Sequence, residues 1–162
     1  MRQQIEEAKR ELRRSLAGQT DWFLPEGSRH FDPVSVVGTL AVVLITAFLR
    51  GFIDEATKSA ENAGRETFRD LKQACATAIG NKPGDDEAQL AEAERAARHA
   101  RELAQTMSPA QRTALIEQSE VALRRALDEI VPAPRAAVIV TEVRTTVVTR
   151  VLALDDARRD CA

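Results

Sequence analysis

The chain has 162 residues, 44% hydrophobic and 30% charged, with 23 Lys and Arg against 25 Asp and Glu for a formal net charge of −2. That is enough chain for one domain with a real core. The balance of signs and the scarcity of aromatics argue against a nucleic-acid partner, whose binder would carry a clustered basic excess with aromatics for stacking.

The opening "MRQQIEEAKRELRRSLAG" is charged in every turn, so it does not read as a signal peptide. Its spacing predicts a helix over 2–17, with Ile5, Leu12 and Leu16 on a narrow apolar side and Gly18 as the stop. A loop follows, in which Trp22, Phe23 and Leu24 are expected to pin the chain to the core.

Asp32-Pro33 is a helix-start pair, because Asp accepts from orphan amides and Pro suits the first helical position. The stretch "DPVSVVGTLAVVLITAFLRGF" (32–52) then runs without a charge between Asp32 and Arg50. Its β-branched residues lean toward strand, but the run is too long for a buried strand. Ile53, Ala56, Ala60, Ala63, Phe68, Leu71, Cys75 and Ala78 continue the helical spacing. One long helix over 33–79, or two joined near Gly51, is expected.

"GNKPGDD" breaks the pattern. Asp86 with Gln89 resembles a capping box, and Ala93, Ala96, Ala100, Leu103 and Met107 form an Ala-rich stripe for close packing. Ser108-Pro109 opens another helix, with Ile116, Leu123, Leu127 and Ile130 inward, and "VPAP" ends it. The tail has two registers. At period two, Ile139, Thr141, Val143, Thr145, Val147, Thr149 and Val151 make a β-branched face. At period 3.6, Val140, Val143, Val147, Val151 and Leu154 make a helical stripe. The fold expected is all-α: a bundle of four to five helices over 1–131 around an apolar central helix. Residues 135–162 follow as a docked helix or an assembly strand. Because both registers are satisfied, Val140, Val143, Val147, Val151 and Leu154 are the candidate switch.

Ten of the seventeen positions 33–49 are Val, Leu, Ile or Phe. Together they favour bilayer insertion by about 3–6 kcal/mol, and including Arg50 costs up to about 3 kcal/mol, so the sum is near zero. Protein burial of the same side chains contributes roughly 1.5–3 kcal/mol each. Three readings stay open: a structural core helix, a helix stored in a bundle but able to enter a membrane, and a constitutive anchor. The candidate membrane-active residues are Val36, Val37, Leu40, Val43, Leu44, Ala47 and Phe48.

Asp32-Pro33, the apolar stretch and "EATKSAENAGRETFRDLK" (55–72), ending in Phe68, Leu71 and Lys72, resemble the start of bacterial Bell domains. These are helical domains of immune-type proteins, compared with fungal HeLo domains and the four-helix bundle of MLKL. The resemblance spans about 40 residues. It implies an oligomerising bundle that perturbs membrane lipid, forms pores and kills an infected cell in antiviral defence on a signal from an upstream protein. In Bell proteins the apolar stretch usually begins the chain, and a Gly/Asn/Gln-rich amyloid motif closes it; this sequence has neither feature.

No nucleotide-, acyl- or zinc-site motif occurs, so no enzyme, cofactor or metal is expected. His30 and His99 stand alone in sequence, and the acidic pairs read as helix-end charges. Cys75 and Cys161 lack CxxC spacing, which points to a reducing, cytoplasmic setting, with conditional inner-membrane association. The alternative to a membrane effector is a non-enzymatic interaction or scaffold protein, soluble or singly anchored through 33–49.

Overall fold

The computed structural model describes residues 1–16, 33–57, 86–129 and 131–154, with side chains except at 33–40 and Asp86. These residues form an all-helical bundle, with no strand among them. The helices are α1 (Arg2–Leu16), α2 (Pro33–Ala56), α3 (Asp86–Gln105), α4 (Pro109–Asp128) and α5 (Ala133–Thr146), and α5 runs into a π-turn, Val147–Val151.

In α1 the buried residues are Ile5, Ala8, Leu12 and Leu16, so the expected narrow stripe is present and Ala8 completes it. α2 passes through Gly51 unbroken and ends at Ala56, so Gly51 is no joint. The expected continuation to 79, the loop with Trp22, Phe23 and Leu24, both cysteines and His30 lie outside the described residues.

α2 is the centre. It packs chiefly on α3 and α4, next on α1, and only lightly on α5 and the π-turn. Along it Ala41, Val42, Leu44, Ile45, Ala47, Phe48, Leu49 and Phe52 are all buried. A helix apolar on every side must be surrounded, and three neighbours suffice here.

The core face of α3 is Ala93, Ala97, Ala100 and Ala104, each at most 1% exposed. The expected stripe was rotated: Ala96, Leu103 and Met107 are only partly buried at its border. Small side chains let α3 approach α2 closely. Charged pairs tie α3 to both α1 and α2. Arg2 pairs with Glu87 (2.5 Å) and Glu94 (3.4 Å), and Arg50 pairs with Glu92. Hydrogen bonding to Glu87, then its charge, holds the Arg2 pKa above its ordinary value.

α4 begins with a complete capping box: Gln111 N–H donates to the Ser108 hydroxyl, and Ser108 N–H donates to Gln111 Oε1. Its inner side is Ile116, Ser119, Leu123, Ala126 and Leu127. The buried Ser119 hydroxyl is satisfied within its own helix, donating to the Leu115 carbonyl at 2.7 Å.

The tail is helical. Ala136, Ile139, Val140, Val143 and Thr146 face inward, and Val147, Val151 and Leu152 continue that face. "VPAP" therefore stops α4 and starts α5, with prolines where a first turn leaves amides unbonded. On the outer side Thr141 donates to the Ala137 carbonyl and Thr145 to the Thr141 carbonyl, both at 2.9 Å. Those bonds satisfy the Thr hydroxyls within the helix, while burial of the apolar side offsets the segment's strand propensity.

Candidate functional site

The two groups of candidate residues occupy different layers. On α2, Leu44, Ala47 and Phe48 are buried and Val43 is partly buried against the core. Val36, Val37 and Leu40 fall in the first turns of α2, where side chains are outside the described residues. The apolar helix is thus enclosed where its side chains are described. Among the described residues, no helix is long and apolar enough to cross a membrane.

On the tail, Val140, Val143, Val147 and Val151 are buried, and Leu154 is partly buried. The helical register of the two is the one adopted. This stripe lies mainly on α4 and α1, so its cover of α2 is chiefly indirect, through α1.

The end of the tail has a distinct geometry. Leu152 N–H donates to the Val147 carbonyl at 2.8 Å, five residues back, which widens the last turn. Ala153 then takes a left-handed backbone (φ 49°), and Leu154 N–H reaches the Val148 carbonyl at 3.4 Å. A left-handed residue just past the helix is a common stop, although Gly usually supplies it.

Side chains from three other helices hold this end. Arg101 on α3 donates from Nε and Nη2 to the Val151 carbonyl, at 3.1 and 2.8 Å. Arg150 donates to Glu11 of α1 at 2.8 Å, and Arg144 pairs with Glu120 of α4 at 3.2 Å. A terminal helix carbonyl has no partner within its helix, so a guanidinium fork from a neighbour is a fitting donor. Neither Arg101 nor Glu11 stood out in the sequence. Both sit in mixed-charge helices, where spacing gives no hint of a partner 50 or 139 residues away.

Beside this join is an open cleft of about 350 Å³, with Arg101, Gln105, Arg112, Leu152, Ala153 and Leu154 in its lining. No group of three or more His, Cys, Asp or Glu able to hold a metal occurs among the described residues. His99 is exposed on α3. The arrangement offers shape, closure and charge pairing, with no nucleophile–base pair evident at the join. No protein family, curated protein or solved structure compared with the chain matches it.

Proposed function

We propose that this chain is a non-enzymatic helical module that stores an apolar helix inside a bundle and acts on membrane lipid once that helix is released. The observation that carries the reading is the enclosure of α2, whose uncharged run has an insertion balance near zero. Burial of Leu44, Ile45, Phe48, Leu49 and Phe52 alone contributes roughly 8–15 kcal/mol before chain entropy. Protein burial wins at rest, so lipid action requires a trigger. Self-association on release, an upstream signalling partner, a cytoplasmic location at rest and a cell-death outcome extend the proposal through the Bell resemblance.

The test is dye release from vesicles containing anionic phospholipid, together with toxicity on expression. Leu44→Glu would bury a charge and unfold the bundle, which obscures the result. Thr46 is only partly buried, so Thr46→Lys adds a charge to α2 with less damage. Folded Thr46→Lys protein should release less dye and be less toxic. Equal release by both proteins removes α2 as the active element, and no release or toxicity by either rejects the membrane reading.

A second reading is a permanently closed bundle that serves as an interaction scaffold. Val121 on α4 and Val138 on α5, 51% and 43% exposed, favour it, as does the lack of a long enough apolar helix among the described residues. A stable oligomer by light scattering, with no lipid binding, would select this reading.

A further inference from the structure

We infer that the bundle opens from its C-terminal end, with the π-turn Val147–Val151 acting as a clasp whose release frees α1 before α2. Outside its own helix, the π-turn packs mostly on α1 and hardly on α2. Val147 and Val151 are fully buried in that contact layer, with Leu152 at 2% exposure. Its polar ties reach α1 and α3: Glu11 of α1 accepts from Arg150, and Arg101 of α3 donates to the Val151 carbonyl.

The order of opening follows from what each helix rests on. α1 has 15 residues, a length at which an isolated helix is marginal in water. It packs on α2, on the α5–π-turn segment and, to a lesser extent, on α3. Losing the α5–π-turn support removes the largest share of its contacts and leaves α1 on α2 and the edge of α3. α2, by contrast, rests mainly on α3 and α4, and the π-turn packs far less on either of these than on α1. Contiguous segments that open below the global unfolding free energy behave in this way. Arg150 and Glu11 are half-exposed, so salt weakens that tie, whereas the Arg101 fork on a carbonyl is a charge-assisted hydrogen bond and the stronger element. The wide last turn and the left-handed Ala153 add strain at the point where the clasp ends.

The regulatory meaning of this order rests on the stored-helix reading above; the order itself does not. Hydrogen exchange of the full chain tests it. Arg101→Gln should speed exchange about tenfold in both 143–152 and 2–16, the effect of losing one charge-assisted hydrogen-bonded contact, with 109–128 unchanged. Arg101→Lys, which keeps the charge but not the fork, should fall between. Faster exchange in 143–152 with 2–16 unchanged overturns the coupling. Equal acceleration of every helix, or no acceleration anywhere, overturns the clasp. If Arg101→Gln does not fold, Glu11→Gln reads the same coupling from the surface. Dye release by the opened variant is scored separately: faster exchange without release keeps the clasp and rejects the stored-helix reading.

Discussion

Gly51 faces Ser119 across the α2–α4 crossing, and a Cβ built on the glycine would stand 3.7 Å from the Ser119 Cα and 3.8 Å from its Oγ. Those are ordinary contact distances, so the crossing has room for one methyl group. Gly in a helix interior costs up to about 1 kcal/mol relative to Ala. Gly51→Ala should therefore stabilise the bundle by about 0.5–1 kcal/mol, read from the urea midpoint at constant slope. Destabilisation would mean that the crossing is tighter than the geometry indicates.

The α2–α3 contact is lined on the α3 side by methyl groups. Ala97 is fully buried in a row of alanines, and Leu there must push two backbones apart. Ala97→Leu should cost about 1–3 kcal/mol, whereas His99→Ala on the exposed side should stay within about 0.5 kcal/mol. Comparable thermal shifts for the two would refute the assignment of the buried face.

The capping box gives a local prediction. Ser108→Ala removes the acceptor for Gln111 N–H and should lower stability by about 1 kcal/mol. Ser108→Asp should retain most of it, since a carboxylate accepts the same bond and suits the positive end of the helix dipole.

Ala153 has φ 49°, a region that L-residues enter at a cost of about 1–2 kcal/mol and glycine enters freely. After allowing for the extra freedom of glycine in the unfolded chain, Ala153→Gly should stabilise by about 0.5–1 kcal/mol. The gain should appear as slower exchange at Leu152 and Leu154; a loss of protection there would contradict the left-handed stop.

The sequence made the helices and much of the core legible where spacing was uncrowded. In α1, Ile5, Leu12 and Leu16 stand among charges, so only one face could be apolar. In α3 the alanines fall so densely that several faces qualify: the expected stripe takes Ala96, Leu103 and Met107, whereas the buried face takes Ala97 and Ala104 beside Ala93 and Ala100. Spacing does not separate Ala96 from Ala97; packing against α2 does. The tail was ambiguous because β-branched residues satisfy both periods. Its helix is favoured by neighbours that bury Val140, Val143 and Val147 together, and the Thr hydroxyls find acceptors back along the helix. The Arg101–Val151 tie was invisible, since one partner is a backbone carbonyl.

The alanine row of α3 has one more consequence. A surface of methyl groups is smooth, and α2 could slide along it by a helical turn, about 5.4 Å, while burying nearly the same area. Such a surface is indifferent to register. The pairs at its edges are not: a one-turn slip of α2 would pull Arg50 out of reach of Glu92, and the same slip of α1 would pull Arg2 from Glu87 and Glu94. Individually these half-exposed pairs add little to stability. Their effect is to index the three helices, in the way that flanking charges set alignment in coiled coils whose seams alone would not.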